Sequence, residues 1–507
     1  MRGRPVPILV SGYPLSGVPM NRLKQRLSLA ATVLLLNACG GGAPTAPPPP
    51  PPPAASYTIS MEAGTVAIGG SVPRTAVVRD GSGNVVSATV TWASSNESIA
   101  TVTPAGLVTG IAAGSMTLRA TANGATGSTT IAVADLTFMA LHVGSRSACA
   151  RTAGGTLSCW GNNGPGVIGS LGDDQVCYVD LFCSTTPRVG ITSPLFTQVT
   201  MGENFACGLT AAGVAWCWGR NDLPYLGATS SETCQVKTSP IPCSHTPLLV
   251  EGGHTFTALS VGSNAQRTCG LSADGTTWCW GGLDPTGSSR TPVVVPGGLA
   301  FTSVVTGAVH ACGLTAAGTA YCWGSSEMGP IGTGRPDSPT PAAVTGGLVF
   351  TSLSTGFGHG CGITVAGTAY CWGANAAGQL GDGTVTTREA PTAVMGGLAF
   401  ATISAGYNHT CAVTGAGAAW CWGANRDGGD HPTGQLGDGT TISRLVPAAV
   451  VRSLVFAEVY AGRQSTCGRT TTGRVYCWGL NRFGNLGIGT HGAFDFVATP
   501  VGLAGLP

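Results

Sequence analysis

Short runs of alternating apolar and polar residues, separated by glycine-rich turns, cover residues 57–134. The run 85–92 reads Val-Val-Ser-Ala-Thr-Val-Thr-Trp, and the turn segment 80–84 before it reads Asp-Gly-Ser-Gly-Asn. A period of two is typical of strands that bury one face, and Gly, Asn and Asp are typical of the turns between them. About seven short strands in a segment of this length predict a small β-sandwich.

The remainder of the chain repeats one element, Cys-x₉-Cys-Trp-Gly, seven times. The first cysteines of successive repeats lie 43 to 62 positions apart, whereas the spacing within each pair is always ten. A fixed core with variable connections is typical of propeller blades with surface loops. The seven pairs are Cys149 with Cys159, Cys207 with Cys217, Cys269 with Cys279, Cys312 with Cys322, Cys361 with Cys371, Cys411 with Cys421, and Cys467 with Cys477.

The ten-residue spacing has a geometric explanation in a three-residue hairpin loop. In the fourth repeat the loop is 316–318, and its third position is Gly in every repeat, as a type I turn followed by a left-handed residue requires. The two cysteines then lie directly opposite, with Cα atoms about 4.5–5.5 Å apart, within disulfide range. We therefore predict seven cross-strand disulfides, each inside one hairpin.

The neighbours of the cysteines support this register. Residues beside the second cysteine are large, such as Tyr321 and Trp323, and residues beside the first are small, such as Ala311 and Gly313. In the predicted register Gly313 faces Tyr321 and Ala311 faces Trp323, so that a large ring covers the bare strand opposite it. A slip of one residue would destroy this match.

Four further cysteines, Cys177 with Cys183 and Cys234 with Cys243, lie in the two longest segments between repeats. They are predicted to staple corresponding insertions on neighbouring blades. With Cys39 set apart, an even number of cysteines remains, as expected for a complete disulfide set in an exported chain. Zinc and reduced structural thiols are the alternatives; zinc ligands cluster at spacings that Cys-x₉-Cys does not offer.

The N-terminal region has the features of an export signal. Residues 20–26 are basic, and the mostly apolar segment 27–36 is too short to span about 30 Å of hydrocarbon, so it is predicted to be a signal-peptide core. Residues 1–38 form the predicted signal peptide, with a possible mis-start before Met20. The sequence Leu-Asn-Ala-Cys that ends at Cys39 resembles the lipobox of bacterial lipoproteins, which implies cleavage before Cys39 and its acylation. A plain secretory signal with an incidental cysteine is the alternative.

Residues 39–56 are predicted to be a lipidated linker rich in Gly and Pro, in which the run 47–53 is a semi-rigid spacer. The segment 92–114 then resembles the bacterial Ig-like group 2 family, which implies an Ig-like sandwich over 57–134. The segment 350–384 resembles the repeat of the regulator of chromosome condensation family, which implies a seven-bladed β-propeller over 135–507. Because residues 499–507 resemble the repeat start 291–299, we expect the C-terminus to complete the first blade. The predicted fold class is therefore all-β.

Charge narrows the range of partners. The chain carries 24 Lys and Arg against 22 Asp and Glu, and residues 1–38 hold five of the bases and no acid. The remainder has 19 bases against 22 acids, so we expect no nucleic-acid partner. The nuclear founder of the resembled family acts on a small GTPase and binds chromatin through a basic tail, which this exported chain lacks. Secreted relatives include a bacterial protein inhibitor of β-lactamase, and that precedent favours protein binding.

Candidate chemistry is sparse. His310, His359 and His409 each precede a first repeat cysteine by two positions and could hold a metal together; backbone hydrogen bonding is the favoured interpretation. The Gly-Asp-Gly segments at Asp382 and Asp438 lack the further ligands of a calcium loop, so turns are favoured. Residues 427–431 are interpreted as a solvated insertion. No nucleophile, metalloprotease or phosphate-loop motif appears, so we predict no enzyme, no cofactor and no metal.

Together these features predict an exported, lipid-anchored protein of the outer membrane or cell surface whose propeller binds a macromolecule, most simply a protein. The lipid anchor would be its only membrane contact, and the Ig-like domain would be a spacer. The stapled segments 162–190 and 220–250 mark the expected binding face. The alternatives are a secreted hydrolase or lyase that acts on polysaccharide, favoured by paired acids at a channel mouth, and a purely structural surface protein.

Overall fold

The computed structural model describes residues 56–500 except for short gaps. These gaps are 68–70, 135–136, 170–174, 179–180, 237–238, 263–266, 283–288, 327–330, 335–336, 430 and 493. The predicted signal peptide, Cys39 and the linker up to residue 55 lie outside the described residues. Within the described part, no helix has the length and hydrophobicity needed to cross a membrane.

The first nine strands form the sandwich. They are β1 (Tyr57–Met61), β2 (Gly64–Ala67), β3 (Ser71–Pro73), β4 (Ala76–Asp80), β5 (Thr91–Ser94), β6 (Ala100–Val102), β7 (Leu107–Gly110), β8 (Gly114–Ala122) and β9 (Ala125–Ala134). The sheet β2-β9-β8-β5 and the sheet β3-β7-β6 enclose a core that includes Val108, Leu118 and Ile131, all fully buried. The alternating run 85–92 enters a strand only at Thr91, because Val85 and Val86 pair locally with β4 across the 80–84 turn.

Seven further sheets follow, one for each repeat, and we call them blades 1 to 7. Blades 1 and 2 comprise β10 (Ala140–Val143), β11 (Ser147–Arg151), β12 (Leu157–Asn162), β13 (Gln175–Tyr178), β14 (Leu181–Ile191); and β15 (Gln198–Met201), β16 (Phe205–Leu209), β17 (Ala215–Arg220), β18 (Glu232–Val236), β19 (Ser239–Leu249). Blades 3 and 4 comprise β20 (Ala258–Ser260), β21 (Arg267–Leu271), β22 (Thr277–Gly281), β23 (Ser289–Val294); and β24 (Ser303–Thr306), β25 (His310–Leu314), β26 (Ala320–Gly324), β27 (Ser338–Ala343).

The last three blades are four-stranded. They comprise β28 (Phe350–Thr355), β29 (His359–Thr364), β30 (Ala369–Gly373), β31 (Arg388–Ala393); β32 (Phe400–Ala405), β33 (His409–Thr414), β34 (Ala419–Gly423), β35 (Arg444–Ala449); and β36 (Phe456–Ala461), β37 (Ser465–Thr470), β38 (Val475–Leu480), β39 (Phe494–Pro500). In every blade the first strand lines a central channel, and the next two strands lead outward in antiparallel order.

Blade 7 packs against blade 1, and this contact closes the ring. The Phe138 N–H donates to the Gly473 carbonyl at 2.8 Å, as the Phe350 N–H does to the Gly318 carbonyl between blades 4 and 5. The expectation that the C-terminus completes the first blade is wrong for the described residues. Strand β39 pairs with β38 as the outer strand of blade 7, because Thr499 and Pro500 stand opposite Cys477 and Tyr476 of that blade.

A proline occupies the fourth strand of every blade, which is the edge strand in blades 3 to 7. These residues are Pro187, Pro247, Pro292, Pro341, Pro391, Pro447 and Pro500. Proline cannot donate to a further strand, so it is tolerated at a sheet edge and discourages pairing with a second chain. In blade 5 it lies beside a register shift between Cys371 and Gly373.

The two cysteines of each repeat face one another across the hairpin in all seven blades. This is the register that the ten-residue spacing predicts. The Cα atoms of each pair lie 4.0–4.1 Å apart, somewhat closer than expected, and every pair is disulfide-bonded within its own blade. In blade order the bonds join Cys149 to Cys159, Cys207 to Cys217, Cys269 to Cys279, Cys312 to Cys322, Cys361 to Cys371, Cys411 to Cys421, and Cys467 to Cys477.

The hairpin loop has the conformation that this register needs. Gly318 has a φ of 78°, the left-handed conformation that the third loop position requires. Across the same hairpin, Gly313 faces Tyr321 and Ala311 faces Trp323. The small residues of the second strand therefore stand opposite the large residues of the third, as the sequence pattern indicates.

The ring that covers Gly313 and Gly362 is not the one that the sequence pattern predicts. A Cβ at Gly313 would lie 2.6 Å from the ring of Phe301, and one at Gly362 would lie 2.5 Å from the ring of Phe350. The phenylalanine at the start of each of these blades therefore occupies the space that the cross-strand tyrosine was expected to fill. Phe301 reaches this space from the linker just before β24, and Phe350 reaches it as the first residue of β28, which pairs with the strand of Gly362.

The tryptophan of Cys-Trp-Gly joins neighbouring blades. All seven of these side chains are at most 2% exposed. The Trp422 indole N–H donates to the Gln379 carbonyl of the preceding blade at 3.0 Å, and Trp160 donates to the Asn485 carbonyl of blade 7 at 3.1 Å. The disulfide of Cys361 in blade 5 belongs to the same core cluster as Trp422 of blade 6.

We expect Gly362→Ala to lower the free energy of unfolding by about 1–3 kcal/mol, because its methyl group would overlap the buried ring of Phe350. Gly415→Ala is the matched control: no atom lies within 4 Å of its Cβ position, so a change of at most about 0.5 kcal/mol is expected. Denaturant unfolding followed by tryptophan fluorescence measures both. Equal stability of the two variants would contradict this account of the repeat glycine.

Candidate functional site

One face of the propeller collects both kinds of variable loop. Because neighbouring strands are antiparallel, the loop after the first strand of each blade and the loop after its third strand leave the same end of the sheet. We call this end the stapled face, since it carries the segments 162–190 and 220–250. The hairpins 316–318 and their equivalents lie on the opposite face.

The two stapled segments are β-hairpins rather than irregular loops. Strands β14 and β19 are 11 residues long, and β13 and β18 pair with them as a fifth strand. Cys177 is bonded to Cys183, and Cys234 to Cys243, with Cα separations of 5.9 and 5.7 Å. The insertions thus continue the sheets of blades 1 and 2 beyond the body of the ring.

The inner loops of this face bring together side chains from five blades. Arg146, Glu203, Phe357, Tyr407 and Arg463 lie in the loops after the first strands, and we call them the Arg–aromatic rim. Arg463 Nη1 lies 3.3 Å from Glu203 Oε1, and Arg146 Nη2 lies 3.8 Å from the same oxygen. The side chains of these three residues are about one-third exposed: 31% for Arg146, 30% for Glu203 and 33% for Arg463.

Two aromatic rings complete the rim. Phe357 and Tyr407 stack with their centroids 4.1 Å apart, and the guanidinium of Arg463 lies 4.9 Å from the centre of the Tyr407 ring. Cation–π contact and the bond to Glu203 hold Arg463 in one orientation. Partial burial lowers the pKa of Arg146, an effect that Glu203 opposes, and the guanidinium remains protonated at neutral pH.

Sequence reasoning missed the rim, although one signal was present. Glu203, Phe357, Tyr407 and Arg463 all stand four positions before the first cysteine of their repeat, and Arg146 stands three before. This position changes from repeat to repeat inside an otherwise regular frame. Loop positions of this kind often carry function on a rigid scaffold.

The central channel is polar. A cavity of about 310 Å³ is lined by residues of the first strands, many of them Ser and Thr. Glu458 is the one carboxylate among its described lining residues, and it bonds to Arg469 at 2.7 Å. Burial raises the pKa of the neighbouring Tyr460, and Glu458 adds to the effect. The two acids that glycoside hydrolysis normally uses are therefore not found together among the described lining residues.

The three repeat histidines are buried between blades. His359 Nε2 is hydrogen-bonded to Thr410 Oγ1 of the next blade at 2.9 Å, and His409 Nε2 to Thr466 Oγ1 at 2.9 Å. The expected backbone partner is therefore corrected to a threonine hydroxyl, which the packing of the blades brings within reach. Burial lowers the pKa of His359 and His409 to about 3, and burial with nearby Arg267 lowers that of His310 to about 4.

The acidic candidates take part in loop structure. The Asp382 carboxylate bonds to Arg388 Nε at 2.7 Å and to the Thr384 hydroxyl at 2.8 Å, and Asp438 makes the equivalent bonds in blade 6. Asp427 accepts from the His431 backbone at 2.9 Å, whereas Asp430 lies outside the described residues. These contacts fit the turn interpretation of both segments.

One group in the described part of the chain brings three potential metal ligands within 4.8 Å of one another: Cys234, Cys243 and His245. Both cysteines belong to the blade 2 staple. The repeat histidines do not form such a group among the described residues, since they point between different pairs of blades.

Comparison with known families agrees with this architecture. Residues 53–133 match the bacterial Ig-like domain (group 2) family. The regulator of chromosome condensation (RCC1) repeat matches residues 366–413 in one description and, in a second, residues 196–223, 301–329, 350–379, 400–428 and 456–485. The chain thus contains an Ig-like group 2 domain and RCC1 repeats, as the sequence predicted.

Solved structures give the same fold. Yeast RCC1 (Prp20) bound to Kap60 is 19% identical, with a TM-score of 0.57 over 68% of this chain and 83% of that chain. Human WBSCR16 is 16% identical, with a TM-score of 0.57 over 68% of this chain and 93% of that chain. At such identities the similarity establishes the propeller fold alone. A search of curated proteins found no significant match.

The buried histidines predict a loss of stability in acid. A histidine with a pKa of 6.5 unfolded and about 3 folded takes up its proton on unfolding between these values. The stability that comes from keeping this histidine neutral is fully present above about pH 6.5 and is lost as the pH falls toward 3. Each such histidine removes about 2 kcal/mol between pH 7 and pH 5.

We therefore expect His409→Gln, whose amide can still bond to Thr466, to reduce this pH dependence by about 2 kcal/mol. Denaturant unfolding at pH 7 and pH 5 measures the change. The exposed His491 provides the control, since His491→Gln should leave the dependence unaltered. The same acid sensitivity in His409→Gln and in the unsubstituted chain would contradict the assignment.

Proposed function

We propose that this chain is an exported lipoprotein of the bacterial cell envelope whose propeller binds a protein partner through the stapled face. The lipid on Cys39 would be its membrane anchor. The proline-rich linker and the Ig-like domain would hold the propeller away from the membrane surface. This agrees with the nine disulfide-bonded pairs and the Ig-like group 2 domain, both of which are typical of proteins outside the cytoplasm.

The Arg–aromatic rim is the observation that carries the proposal. Tyrosine and arginine are enriched in the residues that dominate protein–protein binding energy. The rings of Phe357 and Tyr407 are already stacked, and Arg463 is already held by Glu203, so little side-chain entropy remains to be lost on binding. Two arginines share one glutamate, so the rim keeps one net positive charge and suits a partner that offers a carboxylate.

The stapled hairpins support the same face. Strands β14 and β19 carry disulfide-bonded hairpins on the same face as the Arg–aromatic rim. The hairpins lie on the outer strands and the rim on the loops after the inner strands, so one face offers two separate contact regions. The absence of a nucleic-acid partner stays a prediction that follows from the charge balance. The absence of a small-GTPase partner stays a prediction that follows from the expected export of the chain.

We expect the double variant Tyr407→Ala, Arg463→Ala to lose at least tenfold in affinity for the partner, because each side chain is of the kind whose removal costs about 2 kcal/mol at an interface centre. The partner is first captured from envelope extract with the full chain and identified by mass spectrometry. The affinity of each purified variant for it is then measured by titration.

Val365→Ala is the matched control for this experiment. Val365 is 86% exposed in the hairpin of blade 5 on the opposite face. Its variant should bind like the unsubstituted chain. Loss of binding in Val365→Ala with full binding in the double variant would reverse the choice of face, and failure to capture any protein would favour a purely structural role.

The lipid anchor has a separate test. We expect the mature chain to begin with an acylated Cys39 and to fractionate with membranes, whereas Cys39→Ser should be neither acylated nor retained there. Labelling with a fatty-acid analogue and the mass of the N-terminal peptide measure the modification. An unmodified mature chain that begins elsewhere would refute the lipoprotein assignment and leave the propeller proposal intact.

A further inference from the structure

The blade 2 hairpin places four potential metal-binding side chains on one face. Glu232 and Cys234 stand two positions apart on β18, and Cys243 and His245 stand two positions apart on β19. Residues two apart on a strand point to the same side, and Glu232 lies directly opposite Cys243. All four side chains therefore meet on the same surface of the hairpin.

The imidazole of His245 lies beside the disulfide of the hairpin. The ligand atoms of Cys234, Cys243 and His245 lie within 4.8 Å of one another. Cys234 Sγ lies 3.6 Å from His245 Nε2 and 3.8 Å from Nδ1. Both cysteines are buried, at 3% and 0% exposure, whereas His245 reaches the surface.

Glu232 fixes the imidazole from the other side. Its carboxylate contacts His245 Nδ1 and also accepts from the His245 backbone N–H at 3.0 Å. A carboxylate on one imidazole nitrogen with the other nitrogen free toward a metal is a recurrent arrangement in zinc proteins.

The blade 1 hairpin provides an internal comparison. It has the same two cysteines, with Gln175 opposite Cys183 as Glu232 is opposite Cys243. Thr185 follows Cys183 at the position where His245 follows Cys243. A staple needs only the cysteines. The imidazole and the carboxylate of blade 2 are additional, and each stands where a metal site would use it.

We propose that the blade 2 hairpin is a redox-controlled zinc site, which binds Zn²⁺ when the bond between Cys234 and Cys243 is open. The ligands are the two thiolates and His245 Nε2, while Glu232 orients the ring through Nδ1. Three protein ligands leave a fourth position for water at the exposed edge. The oxidised hairpin is closed by its disulfide and the reduced hairpin by the metal.

The step balances with a thiol reductant. Two thiol molecules supply two electrons and two protons and become one disulfide, while the bond between Cys234 and Cys243 breaks to give two thiols. Zn²⁺ then displaces both thiol protons into solvent and binds the two sulfurs and the neutral imidazole. The Cα separation of 5.7 Å allows both sulfurs to reach one ion without a change of strand register.

Cobalt titration of the full chain tests the proposal. After mild reduction with a phosphine, Co²⁺ should bind at one site and give the near-ultraviolet absorption of a thiolate ligand. His245→Ala should weaken binding at least tenfold, and Glu232→Gln should weaken it by about 10- to 100-fold. Thr185→Ala, the matched change in blade 1, should bind as the unsubstituted chain does.

A second measurement keeps the test decisive if reduction disturbs the fold. Added Zn²⁺ should protect Cys234 and Cys243 from alkylation, as mapped by mass spectrometry, and leave Cys177 and Cys183 reactive. Equal alkylation of both hairpins in the presence of Zn²⁺ would overturn the proposal. Undiminished cobalt binding in His245→Ala, or loss of the absorption in the double variant Cys177→Ser, Cys183→Ser, would overturn it as well.

Discussion

The packing of one buried indole between neighbouring blades is the interaction on which the propeller depends. A single blade has two apolar faces and cannot bury both alone, so the ring forms only when each face meets its neighbour. The tryptophan of each repeat fills that contact. Among the described residues, four of these indoles donate their N–H to a carbonyl of the preceding blade: those of blades 1, 2, 6 and 7, which donate to blades 7, 1, 5 and 6. The contact between blades 1 and 7, which closes the ring, therefore contains the same indole-to-carbonyl hydrogen bond as these other contacts between blades.

This contact restricts what the repeat can vary. The strands carry the indole, the phenylalanine and the disulfide in fixed register, and a glycine such as Gly362 stays bare because a ring already fills its side-chain space. Much of the variation lies in loops at the strand ends, such as those of Phe357 and Tyr407, which meet across neighbouring blades. The same frame therefore holds a polar channel, an Arg–aromatic rim and two extended hairpins without any change in the body of the ring.

Much of the fold was predictable because its determinants are local. Within about a dozen residues, each repeat contains the two cysteines, the glycine of the hairpin loop and their large and small neighbours. These features are enough to set the register between two neighbouring strands. Details that depend on a third element were not predictable from this pattern. The ring over Gly313 comes from Phe301 in the linker, and the partner of His409 is Thr466 of the next blade.

The sequence by itself determined the all-β class, the repeat and the pairing of cysteines within hairpins, since these follow from side-chain periodicity along one stretch of chain. Only the tertiary structure decided which side chains share a surface. Arg463 and Glu203 are 260 residues apart and meet because the ring closes. His245 and Glu232 meet because a fifth strand pairs beyond the predicted loop. Such meetings depend on how whole sheets pack, and the order of residues within one repeat does not contain that information.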